Sequence, residues 1–285
     1  IGAPCTPIVK VGDEVKVGQK IGESKATISA PVHSSVSGKV MKIEQMVLSN
    51  GQKGEVVVIE SDGLNELGYT ETNDDFTQLS KEVILERIKE AGIVGLGGAG
   101  FPTHLKMNKK PDVKIEQVIL NGAECEPYLT SDQLNMELYP QKAIGGLKII
   151  MKLMDCDKGY IGVEDNKQKA IGILKNAAKD ETNISICAVK TKYPQGDERR
   201  LINAITGKKI SKAQRSNERG VQGLNISSAM AIYDAVVHSI PLTHRIVTMT
   251  GSAIKEPKNI YVPVGTKFKD LVAVSYTHLT LPTKA

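Results

Sequence analysis

Over the first seventy residues apolar and polar positions alternate with a period of two. Ile8-Val9-Lys10-Val11 runs into Gly12-Asp13, Glu14-Val15-Lys16-Val17 into Gly18, and Ala30–Val40 repeats the pattern. Short alternating runs broken by Gly-Asp turns predict a small β-sandwich over residues 1–62. From Gly63 the chain turns acidic and polar, and 63–79 reads as a linker. The period then lengthens. Ser80 can cap a helix over Ser80–Ala91, with Glu82 in its first turn, Ile84, Ile88 and Ala91 on one face and Gly92 as its stop. Strands are expected over Val113–Leu120, Gly159–Val163 and Ile184–Val189. Helices are expected over Tyr139–Met154, Asn166–Lys179, from about Glu198 to Thr206, and over Ile226–His238. This alternation predicts an α/β domain with a largely parallel sheet over 80–242. Beyond Thr243 the period of two returns, in Arg245–Thr250 and Ile260–Val264.

Composition narrows the class. With 285 residues the chain can bury real cores in two or three domains. A formal charge of +5, without interleaved basic and aromatic residues, fits a solvated surface and argues against a nucleic-acid partner. The most apolar stretch, Ile144–Met154, is interrupted by Lys148 and Lys152 and is not a membrane span. Cys5, Cys125, Cys156 and Cys187 are scattered, with no C-x-x-C, so no iron–sulfur or other metal ligand set is expected here. Cys125 reads as a small filler.

The densest chemistry lies in Gly95-Leu96-Gly97-Gly98-Ala99-Gly100, continued by Phe101-Pro102-Thr103-His104-Leu105-Lys106. Glycines this close together serve a sharp bend or the near approach of a ligand. With Lys106 beside them, they read as a cradle for a phosphorylated cofactor. A helix rather than a strand precedes them, so this is not the usual dinucleotide fingerprint, and a purely structural turn is the competing reading. Downstream, Asn121-Gly122-Ala123-Glu124-Cys125-Glu126-Pro127 follows a strand candidate, where side chains converge on ligands in open α/β sheets. Tyr193-Pro194-Gln195-Gly196-Asp197-Glu198 opens a helix whose dipole favours its carboxylates.

The blocks GLGGAGFPTHLK, LNGAECEPYLTSD, EDNKQKAI, TKYPQGDE and AIYDAV, in this order, resemble the flavin- and NADH-binding subunit of respiratory complex I. They resemble still more the RnfC family, the C subunits of the Rnf complex, which is the ion-translocating ferredoxin:NAD oxidoreductase. The resemblance runs from Ile1 to about Val272. It implies a biotinyl/lipoyl-like barrel-sandwich hybrid, a Rossmann-like α/β domain binding FMN and NAD(H), and the start of a β-grasp domain over 243–274. It further implies that Gly95, Gly97, Gly98 and Gly100 offer backbone to the nucleotides, that Phe101 stacks on adenine, and that Lys106 meets the flavin. Asn121, Glu124, Tyr193, Gly196 and Asn225 would line the flavin pocket. Glu126 and Glu198 would face NADH as the catalytic carboxylates, disfavouring a phosphorylated ribose and hence NADPH. The expected partners are the other Rnf subunits, which would hold the protein peripherally on the cytoplasmic side of a bacterial membrane.

The complex I pattern has an aspartate where Ala123 stands and a second aromatic where Lys109 stands, the latter a difference that Rnf subunits tolerate. Lys208–Gly220 is basic where relatives carry a Pro/Gly-rich loop, and it reads as a solvated loop or as a contact to nucleotide phosphates. Residues 275–285 depart from family text and read as a non-native tail on a truncated chain, with two 4Fe-4S clusters expected only in the parent. Two alternatives stand beside this reading. One is a soluble reductase of the same superfamily, of the cobalamin-reductase type. The other is a non-catalytic scaffold or carrier, with Glu23-Ser24-Lys25-Ala26 as a lipoyl-like hairpin and Lys25 as its modified residue.

Overall fold

The computed structural model describes residues 2–48, 51–108 and 112–275. Lys109 and the tail beyond Ser275 lie outside them. Six strands form the N-terminal unit: β1 (Thr6–Pro7), β2 (Glu14–Val15), β3 (Lys20–Glu23), β4 (Val32–His33), β5 (Gly38–Val47) and β6 (Lys53–Ser61). They make two antiparallel three-stranded sheets, β1-β3-β4 and β2-β5-β6. Between the sheets lie Val9, Val15, Ile21 and Val40, with Ile43, Val57 and Ile59 packed against them. These are the alternate apolar positions of the sequence pattern, so the period of two here marks one buried face. Lys25 is exposed in the loop between β3 and β4.

The α/β unit follows the predicted alternation. Its elements are α1 (Lys81–Glu90), α2 (Thr103–Met107), β7 (Gln117–Asn121), α3 (Ser131–Leu138), α4 (Pro140–Met154) and β8 (Gly159–Glu164). They continue with α5 (Gln168–Ala177), β9 (Ile184–Val189), α6 (Glu198–Thr206), β10 (Val221–Asn225) and α7 (Ile226–Val237). The sheet order is β10-β7-β8-β9, and every pair is parallel. β7 begins at Gln117 rather than Val113 because its partner β10 begins at Val221, the residue paired with Gln117. Upstream of it, Glu116 and Gln117 both donate their amides to Gly220 O.

One face of the sheet is covered by α1, α4, α5 and α7 around a core that includes Ile84, Ile88, Leu147, Ile150 and Ile232. On the other, α6 packs Leu201 and Ile202 against Ile119, Val189 and Val221. α4 and α7 approach closely because α4 carries Gly145 and Gly146 where they cross. A Cβ on Gly146 would stand 2.1 Å from Ala229 O, and one on Gly145 2.3 Å from the Tyr233 ring.

The last unit is a hairpin of β11 (His244–Met249) and β12 (Lys258–Pro263), followed by α8 (Phe268–Val274). It is tied to both neighbours. Ser35 Oγ donates to Val264 O at 2.7 Å and Thr130 N to Thr248 Oγ1 at 3.2 Å. The acidic segment after β6 is also tied down. Thr72 N and Asp74 N donate to His238 O and Val237 O, and Asp74 pairs with Arg87 at 2.6 Å. It thereby takes up carbonyls that the end of α7 leaves unpaired.

The barrel meets α1 through the Lys20–Glu90 ion pair and through His33. A Cβ on Gly92 would lie 3.1 Å from His33 Nδ1, which shows how closely the ring is packed there. Burial, with Lys20 adding to it, brings the His33 imidazole down to about 4.

The helix crossing and the buried ring each give a measurable expectation. Gly146→Ala gains helix propensity but collides with backbone, so it is expected to lower stability by about 1–3 kcal/mol. Gly172→Ala, on α5 with nothing within 4 Å, is expected to raise it by about 0.5–1 kcal/mol. Urea unfolding midpoints of the two variants separate the clash from the propensity. For His33 the unfolded chain takes up a proton near pH 6.5 and the folded chain only near 4. Stability therefore falls as pH drops through that window, by up to about 3 kcal/mol. A His33→Gln variant unfolded at pH 7 and pH 4.5 is expected to lose correspondingly less between the two.

Candidate functional site

The chain runs from β7 outward to β8 and β9, then returns to place β10 on the other side of β7. The strand order reverses between β7 and β10, and in such sheets the crevice for ligands opens at the carboxyl ends on either side of that reversal. Asn121 and Asn225 end these two strands and are directly paired in register. Above them opens a cleft of about 890 Å3. It is lined by Gly95, Gly97, Gly98, Gly100, Phe101, Lys106, Asn121, Glu124, Glu126, Gly196, Glu198 and Asn225. Among the positions singled out from sequence, Tyr193 is the exception. It is 68% exposed, and its neighbour Pro194, joined through a cis bond, lines the cleft instead.

The glycine loop is an excursion pinned at base and tip. At its base Gly95 N donates to Phe101 O at 2.9 Å, and Thr103 N to Ile93 O at 2.9 Å. At its tip Leu96 N donates to Ser228 Oγ at 2.8 Å, on the first turn of α7. Gly97 lies against Asn225, where a Cβ would stand 3.0 Å from Asn225 Cβ. Gly98 has φ +139°, in the region that favours glycine. The Gly97 and Gly98 amides have no partner among the described residues and are available to a ligand.

Three of the expected flavin-pocket side chains are committed to bracing the site. Asn121 Nδ2 donates to Gly196 O at 2.7 Å while its Oδ1 accepts from Ala123 N, which joins the loop after β7 to the loop before α6. Asn225 Oδ1 accepts from Ser228 N and caps α7. Glu124 sits at φ +48° and takes the place of an absent side-chain cap on α3, accepting from Asp132 N at 2.7 Å, Gln133 N at 3.1 Å and Ser131 Oγ at 3.1 Å. Burial pushes the Glu124 carboxyl up, against the pull of those donors. The aspartate absent at Ala123 leaves a fully buried methyl, and Lys167 Nζ donates to Ala123 O at 2.9 Å. Lys167 is itself buried beside Glu164 at the end of β8.

Asp132, to which sequence reading gave no role, knits these pieces together. Its oxygens accept from Asn225 Nδ2 at 2.7 Å and from Ser227 Oγ. Burial raises its pKa, while those two donors hold it back. It lies in the first turn of α3, and its partners at the start of α7, more than ninety residues away, left no local signal. Sequence reading also missed Arg245, on β11, whose Nη2 donates to Leu96 O at 3.4 Å.

Other groups remain turned to the cleft. Lys106 Nζ pairs with Glu198 Oε2 at 3.2 Å, and Glu198 Oε1 accepts from Ser216 Oγ. The basic segment 208–220 is thus fastened to the cleft's edge through Ser216, while its Lys208 pairs with Glu116. β10 leaves room for Glu198 at Gly223, where a Cβ would stand 2.9 Å from Glu198 Cδ. Glu126 is exposed and has no side-chain partner among the described residues. Amides free for an anion, a cation, carboxylates and a cleft of this volume fit a flavin mononucleotide with room for a second ring. No group of three or more potential metal-ligating side chains occurs among the described residues, whose four cysteines are free.

Comparison with known proteins agrees with this geometry. The RnfC barrel sandwich hybrid domain matches residues 1–64. The chain is 44% identical over 273 residues to the C subunit of the Na(+)-translocating ferredoxin:NAD(+) oxidoreductase complex of Acetobacterium woodii, covering 95% of this chain and 62% of that protein. It is 45% identical to the C subunit of the proton-translocating ferredoxin:NAD(+) oxidoreductase complex of Clostridium ljungdahlii, covering 95% and 60%. It is 38% identical to the C subunit of the ion-translocating oxidoreductase complex of Pseudomonas aeruginosa, covering 96% and 35%. The chain therefore spans between about a third and just over three fifths of these relatives. An NAD+-reducing NiFe-hydrogenase shares the fold with a TM-score of 0.61 at 20% identity, over 70% of this chain and 39% of its own. The Nuo51 FMN-binding domain matches residues 88–234, which is more than half of the sequence, and the chain belongs to that family.

Proposed function

We propose that this chain is the nucleotide-binding part of the C subunit of an ion-translocating ferredoxin:NAD oxidoreductase, passing electrons between NAD(H) and iron–sulfur centres through FMN. The observation that carries the reading is the cleft at the sheet's reversal point, lined together by Gly97 and Gly98, whose amides have no partner among the described residues, by the Lys106–Glu198 pair and by the exposed Glu126. The names of the relatives supply the rest: ferredoxin and NAD as the redox partners, other subunits of the same complex, and ion translocation. Among the described residues no helix is long and apolar enough to cross a membrane. This suits peripheral attachment, on the cytoplasmic side, through those subunits. The two 4Fe-4S clusters belong to the part of the parent that this chain does not span.

Bound FMN would supply the chemistry of hydride acceptance and single-electron release. The protein's part is to hold and orient. The glycine loop presents backbone without Cβ atoms in the way, so that a ligand can lie against it. Lys106, steadied by Glu198, sets a positive charge at the cleft wall. Glu126 and Glu198 can accept hydrogen bonds from ribose hydroxyls or a carboxamide, and they repel an added phosphate, which favours NADH over NADPH. Asn121, Glu124 and Asn225 act one step back, fixing the loops whose backbone does the contacting.

The chain is expected to quench FMN fluorescence saturably, and NADH is expected to bleach the bound flavin's visible absorbance more readily than NADPH. Lys106→Ala should weaken FMN by about tenfold or more, the scale of one lost charge-assisted hydrogen bond. Glu198→Gln should leave the fold intact and narrow the preference for NADH. A folded chain that binds no FMN at high micromolar concentration would overturn the reading.

A further inference from the structure

Three cations line the cleft among the described residues: Lys106, Lys142 and Arg245. Lys106 is paired with Glu198, and Lys142 with Asp234 at 2.7 Å. Arg245 has no carboxylate at ion-pair distance among the described residues. Asp132 feels its charge. Both Asp132 oxygens, however, already accept from Asn225 and Ser227. Of the five N–H donors on a guanidinium, Arg245 spends one among the described residues, on Leu96 O at 3.4 Å.

That single bond fixes where the rest of the group stands. Leu96 immediately precedes Gly97 and Gly98, whose amides have no partner among the described residues, and its own amide is bonded to Ser228 on the first turn of α7. Arg245 thus stands beside the glycine loop, with most of its donors unspent among the described residues. Its backbone is placed by the β11–β12 hairpin, which is itself anchored on the site. Thr130 N donates to Thr248 Oγ1 at 3.2 Å, and Asn259 Nδ2 to Thr130 O at 3.2 Å, one residue before α3.

We infer that Arg245 holds a phosphate group of the nucleotide bound in the cleft, and that the C-terminal hairpin is a wall of the binding site rather than a separate appendage. A planar fork of donors suits two phosphate oxygens at once, which a lysine at this position would not match. This rests on the nucleotide-binding reading above and assigns it a residue outside the matched FMN-binding segment, which ends at 234. The phosphate belongs either to the flavin or to the dinucleotide, and the test separates them.

FMN, riboflavin and ADP-ribose are titrated separately against the whole chain, against Arg245→Ala and against Arg245→Lys, with thermal unfolding of each variant as the folding control. For a flavin phosphate, Arg245→Ala loses about tenfold or more in FMN affinity, changes riboflavin by less than about twofold, and flattens the salt dependence of FMN binding. Arg245→Lys then recovers part of the loss. For a dinucleotide phosphate, FMN is unchanged and ADP-ribose weakens by the same factor. Equal loss of FMN and riboflavin, or no change with any of the three ligands, overturns the inference. Failure of the unaltered chain to bind FMN would count against the flavin reading instead, and the ADP-ribose titration would still test Arg245.

Discussion

The register between Asn121 and Asn225 is the constraint on which the cleft depends. Two asparagines end adjacent parallel strands at the one place where the strand order reverses. Each side chain has a donor end and an acceptor end, and each uses both within the protein. Asn121 ties the loop after β7 to Gly196, while Asn225 ties the start of α7 to Asp132. A shift of either strand would unmake both ties and leave polar groups unpaired in a half-buried place, where each costs about 1–3 kcal/mol. The glycine loop, which has little to hold it by itself, borrows its shape from these anchors through Ser228.

Much of the architecture was legible because apolar period and capping chemistry agree locally. Ser80, Asp197 and Asn225 are side-chain caps of α1, α6 and α7, and Ile184–Val189 is a strand over the length its pattern announces. The start of β7 was not legible, because Val113 and Ile115 carry a strand-like pattern that no neighbouring strand extends far enough to pair. Among the site residues, the glycines, Lys106 and Glu198 could be found by chemical type and spacing. Asp132 and Arg245 could not. One reads as a routine helix-start residue and the other as a surface arginine of a strand, and only tertiary contact gives them meaning. Asn121, Glu124 and Asn225 line the cleft, but their side chains are spent on the protein.

Electrostatics around the cleft follow from who is paired with whom. Asp132 and Glu124 are carboxylates withdrawn from water and held by neutral donors, so burial lifts both. Lys167 and Glu164, deeper still, face each other across a single turn at the end of β8. Burying such a pair is seldom a net source of stability, but removing one member strands the other. Its lysine also reaches Ala123 O, so the pair fixes the loop from which Glu124 and Glu126 project.

The mooring of Leu96 on Ser228 spans 132 positions of sequence. A nascent chain that has emerged only as far as β9 already possesses the glycine loop, its base contacts and Lys106, but not the Ser228 hydroxyl that holds Leu96. Contacts of such separation form late, because the intervening chain must first be ordered. The nucleotide cradle is therefore among the last features to acquire its shape, and until then the Gly97 and Gly98 amides are exposed in an unfinished protein. A ligand that binds only the finished loop would stabilise the closing step of folding as well as the folded state.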